Sequence, residues 1–115
     1  MAYNLKEEMS RPERFEAGHR LCAGCGAGVV SRAMMRAVKD EDMAVICNAT
    51  SCLEVSSFQY PFTAWTDSYI HVAFENTSAV ASGVETAYRA LKKKGKLSRD
   101  AKIIAIGGED RKSVV

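Results

Sequence analysis

Proline is scarce in this chain: Pro12 and Pro61 are the only two in 115 residues. Most of the sequence is therefore free to run as helix or strand, and the two prolines mark breaks. Long apolar runs are missing as well. None approaches the roughly 18 residues a membrane-crossing helix needs, so no membrane partner is expected. A charge of one sign is also lacking, with 16 Lys and Arg against 14 Asp and Glu. The net charge of +2 gives no argument for nucleic acid or an acidic surface. Residues 1–16 are charged and hold no apolar core of a secretory leader, so a reducing cytoplasm is the expected compartment. There, the four cysteines are expected as thiols or metal ligands, not as a disulfide framework. Internal repeats and low-complexity tracts are absent too.

What is present reads as an α/β layered domain. Residues 1–18 have no clean period and are expected as an extended arm on a neighbouring surface. Residues 26–39 read as a helix, with Val29 or Val30, Ala33, Met34, Ala37 and Val38 on its apolar side. Residues 43–47, Met-Ala-Val-Ile-Cys, form a continuous apolar run. That suits a strand covered on both faces, with Cys47 as a small buried hydrophobe. Residues 51–67 show neither period, yet hold Phe58, Tyr60, Phe62 and Trp65. This aromatic loop is expected to meet a partner subunit, or else to line a pocket.

Residues 68–74 alternate as a strand does, and His71 is expected to be a hydrogen-bonded strand residue. Residues 75–78 offer N-cap chemistry for a helix over 79–94, whose apolar side carries Val80, Gly83, Val84, Ala87, Ala90 and Leu91. Lys92, Lys93 and Lys94 before Gly95 read as a helix C-terminus, so they call for no nucleic-acid partner. A final buried strand over 102–106 ends in Gly107 and Gly108. Paired glycines after a strand suit close approach of a phosphate.

The thiols carry the chemistry. Cys22 and Cys25 are spaced C-x-x-C just ahead of a helix, and Cys52 returns after the first strand. A thioredoxin-like redox pair would need a preceding strand, which is missing. Four thiolates, Cys47 included, could bind zinc in a small structural module. Three could serve an iron–sulfur cluster whose fourth ligand lies elsewhere. Spacing alone leaves zinc and iron–sulfur open.

The run His19-Arg20-Leu21-Cys22-Ala23-Gly24-Cys25-Gly26-Ala27 resembles the opening of the β subunits of pyruvate:ferredoxin oxidoreductases. So do Ala49-Thr50-Ser51-Cys52-Leu53-Glu54-Val55, Tyr60-Pro61-Phe62-Thr63-Ala64-Trp65, Ile70-His71-Val72-Ala73-Phe74-Glu75-Asn76 and Ala105-Ile106-Gly107-Gly108. The resemblance implies a thiamine-diphosphate-binding fold, a three-layer α/β/α sandwich on a mainly parallel sheet, here truncated. Residues 19–108 would form its N-terminal part. It implies Cys22, Cys25 and Cys52 as ligands of a [4Fe-4S] cluster, with the fourth cysteine downstream. It implies that Gly26, Ala27, Cys52, Gly107 and Gly108 face thiamine diphosphate, which is bridged by Mg²⁺. The implied activity is oxidative decarboxylation of pyruvate to acetyl-coenzyme A, with electrons passed to ferredoxin, in company with α, γ and δ subunits. No residue here stands out as a general acid or base.

The family pattern after Gly108 continues with an aspartate that binds Mg²⁺. Here Glu109 takes that place, followed by Asp110-Arg111-Lys112-Ser113-Val114-Val115. Residues 109–115 are expected to be a non-native tail, since a translated sequencing adapter would read this way. A piece ending there is expected to be inactive alone.

Overall fold

The computed structural model describes residues 4–108. The expected tail over 109–115 lies outside the described residues. The first element among the described residues is a six-residue helix, α1 (Leu5–Ser10), where an extended arm was expected. Good helix formers and the acids Glu7 and Glu8 in the first turn favour it. Pro12 then forces Arg11 into extended backbone, and the arm runs on from there. The arm is clamped along α2 (Gly26–Ala37). Arg11 donates to the carbonyls of Arg36 and Val38, and Glu13 accepts from Arg32 and Arg36.

After α2 comes β1 (Met43–Ala49), then a short α3 (Cys52–Ser57). A small hairpin follows, β2 (Phe58–Gln59) and β3 (Phe62–Thr63), with a cis peptide at Tyr60–Pro61. Residues 51–67 are thus structured where no period was seen. Elements of six and two residues are too short to establish one. The chain continues through β4 (Ser68–Val72), α4 (Thr77–Lys93) and β5 (Ala101–Ile106).

The sheet order is β4-β1-β5, and both pairings are parallel. Ile46 stands opposite Tyr69 on one side and Ile104 on the other. This is the α/β class with a parallel sheet that the sequence indicated. The central strand explains the apolar run: Ala44, Ile46, Cys47 and Ala49 are all at most 1% exposed. Strand alternation sends Ala44, Ile46 and Asn48 to one face. There Ala44 and Ile46 meet Met35 and Val38 at the α2 end, together with Leu53, Phe15 and Trp65. Cys47 takes the other face, the one α4 covers, as a buried small residue.

Two helix faces differ from expectation. The buried side of α2 carries Ser31 and Met35, while Val29 and Val30 stand 69% and 66% exposed. The face is rotated by about one residue, because the N-terminal turn borders open cavities and not packed sheet. In α4, Thr77 is buried and Val80, Val84 and Tyr88 are half-buried, whereas Gly83, Ala87, Ala90 and Leu91 are exposed. Asn76 is the N-cap, yet its side chain makes no capping hydrogen bond. The C-terminus is as the sequence suggests. Gly95 adopts φ +68°, and the N–H groups of Gly95 and Lys96 reach back to the carbonyls of Lys92 and Leu91.

The arm contributes a charge interaction with α2. Hydrogen bonds from Arg32 and then Arg36 pull the Glu13 carboxyl from 4.5 down to about 2. A carboxyl depressed in the folded state stabilises it above the unfolded value, and that contribution fades as pH falls from about 4.5 through about 2. Glu13 is partly exposed, so solvent screening keeps the effect small. Urea midpoints measured from pH 6 to pH 2.5 should therefore fall less steeply for Glu13→Gln than for the parent, with the two curves converging at the acid end.

Candidate functional site

Parallel pairing puts the C-terminal ends of β4, β1 and β5 on one edge of the sheet. The chain leaves that edge at Thr50-Ser51 after β1 and at Gly107-Gly108 after β5. Helix α2 feeds directly into β1, so it runs back along the sheet and its first residues lie over the same edge. A cavity of about 480 Å³ forms there. Its wall includes Cys25, Gly26, Ala27, Ser51, Cys52, Gly107 and Gly108, with Met34, Leu53 and Ile106 as apolar lining. All five residues marked for the thiamine cofactor thus border one space.

Among the described residues, no Lys, Arg, Asp or Glu lines this cavity. What it offers an anion is backbone N–H groups and the positive end of a 12-residue helix. It also offers Ser51, whose buried Oγ has no hydrogen-bond partner among the described residues. The sequence does not single out this serine, although its place directly before Cys52 at a strand end is a usable signal. Ser51 also explains Gly108, since a Cβ at 108 would collide with the serine's Cβ and Oγ.

The thiols divide between two spaces. Cys52 is exposed and borders the first cavity. Cys22 is exposed and borders a second, of about 510 Å³, with Phe15, His19 and Arg32. Cys25 borders both. Between Cys22 and Cys25 the chain turns, with Gly24 at φ +77° and the Cys25 N–H bonded to the Cys22 carbonyl at 3.0 Å. Among the described residues, no three His, Cys, Asp or Glu side chains converge as a metal-ligand set. The thiols as placed here do not form a closed cluster site. A four-cysteine zinc site fits less well, because Cys47 is wholly buried against α4 and burial pushes its thiol up.

Behind the cavity lies a polar seam. Trp65 Nε1 donates to Ser57 Oγ at 2.8 Å, and Ser57 Oγ donates to the Leu53 carbonyl at 2.5 Å. Tyr69 stacks on Trp65 and Phe58 with centroids 5.5 and 5.3 Å away. Burial pushes its phenol up to about 12, opposed in part by the nearby Asn48 and Ser57 side chains. Neither the Tyr69 hydroxyl nor the Asn48 amide has a well-formed hydrogen bond, and Asn48 is wholly buried. The aromatic loop therefore splits. Trp65 serves the core at 4% exposure, while Tyr60 and Phe62 face outward.

Comparison with known proteins bears on this geometry. The chain is 50% identical over 104 residues to pyruvate synthase subunit PorB of Methanocaldococcus jannaschii, covering 89% of this chain and 34% of that protein. The resemblance to the pyruvate synthase β subunit is thereby shown. The Thermotoga maritima PorB is 47% identical over 116 residues, 95% of this chain and 36% of the relative. Ketoisovalerate oxidoreductase subunit VorB of Pyrococcus furiosus is 36% identical over 90 residues, 76% of this chain and 28% of the relative. The chain spans about a third of the length of the PorB subunits it matches. No family model matches it. No helix among the described residues is long and apolar enough to cross a membrane.

The contact between Gly108 and Ser51 can be tested. Gly108→Ala should lower unfolding stability by about 1–3 kcal/mol, the usual cost of overpacking. The same substitution in a Ser51→Gly background should cost much less. A double-mutant cycle on denaturation midpoints reads the difference, and equal costs in both backgrounds would remove Ser51 as the cause.

Proposed function

We propose that this chain forms the cofactor-facing portion of the β subunit of a pyruvate:ferredoxin oxidoreductase. The complete enzyme would oxidise pyruvate to acetyl-coenzyme A and carbon dioxide and reduce ferredoxin, assembled with α, γ and δ subunits. The observation that carries this reading is the convergence of Gly26, Ala27, Ser51, Cys52, Gly107 and Gly108 on one cavity at a helix N-terminus. That donor set suits the diphosphate of thiamine diphosphate. The glycines let backbone N–H groups approach, the helix end favours negative charge, and the orphaned Ser51 hydroxyl gains an acceptor. When bound, the cofactor supplies the electron sink for decarboxylation.

The chain's own residues position and shield. Met34, Leu53 and Ile106 give the cavity an apolar floor that limits water near the cofactor. Among the described residues the lining holds no cationic side chain, so what they offer the diphosphate charge is dipoles. A Mg²⁺ ion is the natural complement. Its family position falls at Glu109, outside the described residues. Cys22, Cys25 and Cys52 are proposed as three thiolate donors to a [4Fe-4S] cluster. Binding all three requires the Ala23-Gly24 turn to carry Cys22 toward the side where Cys52 stands, and a fourth ligand from elsewhere.

A chimera tests the reading. Residues 19–108 replace the aligned segment of the Thermotoga maritima PorB subunit within its enzyme. Pyruvate-dependent dye reduction should stay within about tenfold of the parent, and Cys52→Ser should abolish it along with the low-temperature EPR signal of one cluster. An assembled chimera that binds thiamine diphosphate yet keeps all its cluster signals in Cys22→Ser, Cys25→Ser and Cys52→Ser would overturn the cluster assignment. An assembled chimera without cofactor binding would overturn the whole reading.

A further inference from the structure

A third concave surface lies on the β4 side of α3, lined by Arg20, Glu54, Phe58, Gln59, Tyr60 and His71, with a volume of about 470 Å³. Two of its features are unusual. Glu54 is a buried carboxylate, its side chain only 8% exposed, and His71 Nδ1 lies 2.8 Å from its Oε1. Arg20 is exposed, and its guanidinium has no hydrogen-bond or ion-pair partner among the described residues. The other arginines of the arm and α2, Arg11, Arg14, Arg32 and Arg36, are all paired with carboxylates.

The pairing with Glu54 fixes the imidazole. Nδ1–H is donated to the carboxylate, which leaves Nε2 as the open nitrogen of a side chain that lines the groove. Such a ring accepts a hydrogen bond from a ligand hydroxyl, or donates one when protonated, with its charge balanced by Glu54. Arg20 brings a planar fork of donors suited to a carboxylate or phosphate. Its backbone is tied down by the N–H bond to the Ser56 carbonyl at 2.7 Å, so the side chain starts from a fixed point on the rim. Phe58, stacked on Tyr69, gives the groove an apolar wall, and Tyr60, 88% exposed, stands at its rim.

We propose that this groove is a second binding site, distinct from the glycine-lined cavity, for a small oxyanion, carboxylate or phosphate. Arg20 meets its charge and His71 Nε2 meets its polar edge. The aromatic wall favours a ligand with an apolar portion beside the anionic group. The inference rests on the Arg20, His71 and Glu54 arrangement alone and stands apart from the thiamine diphosphate reading.

Having only two histidines makes the test direct. Imidazole proton resonances of the chain are followed by NMR while sodium pyruvate, or inorganic phosphate in a separate arm, is added at constant pH and ionic strength. The His71 signals should shift and saturate at millimolar ligand in at least one arm. The arm that saturates at lower concentration identifies the carboxylate or the phosphate as the preferred group. The His19 signals, whose ring stacks on Phe15 by the other cavity, should stay put. Arg20→Gln should weaken the effect at least tenfold with the fold unchanged by the Trp65 ring-current shifts, and Arg20→Lys should recover part of it. Shifts that never saturate in either arm, or that saturate equally in Arg20→Gln, would overturn the proposal.

Discussion

The parallel register of β1 between β4 and β5 is the constraint on which the rest depends. Parallel pairing forces every strand to end on the same edge, so the loops after β1 and β5 meet there. Because α2 leads directly into β1, its N-terminal turn is returned to that edge as well. Residues as far apart as Gly26, Ser51 and Gly108 then line one space. An antiparallel β5 would have carried Gly107 and Gly108 to the far end of the sheet. The site is a consequence of strand direction first and of side-chain identity second.

The register is held by what surrounds β1. Ile46 and Ala44 lock into Met35, Val38 and Trp65 on one face, and Cys47 is sealed on the other. Arg14 strengthens the same end from outside. Its guanidinium bonds both oxygens of Asp67 at 2.8 and 2.6 Å and reaches the Asp42 carbonyl, while Asp67 Oδ1 accepts the Ala44 N–H. Both partners are largely buried, so removing either would strand a charge. Through Arg14 and Phe15 the N-terminal arm becomes part of the core.

Much of this was legible in the sequence. The apolar run at 43–47, the alternation at 68–74 and the glycine after three lysines each predict an element that is present. The paired glycines after β5 and the Gly26-Ala27 turn, singled out separately in the sequence, line one cavity. The rest was hidden for physical reasons. The α2 face slipped because its first turn edges cavities, where apolar Val29 and Val30 can remain open. Short elements over 51–63 carry no period. The Glu54–His71 contact spans 17 positions and arises only once β4 is paired beside β1, so no local pattern announces it. The motifs single out Cys22, Cys25 and Cys52, but no local pattern shows that Cys22 and Cys52 border different cavities.

The central claim is that the edge where these strands end holds the diphosphate of thiamine diphosphate. Backbone amide shifts of the ¹⁵N-labelled chain, recorded with thiamine diphosphate and Mg²⁺ and then with thiamine and Mg²⁺, test it most directly. The account predicts that the Gly26, Ala27, Ser51, Gly107 and Gly108 amides move with the diphosphate form and stay still with thiamine. Amides that respond alike to both compounds, or that move only elsewhere in the chain, would contradict it.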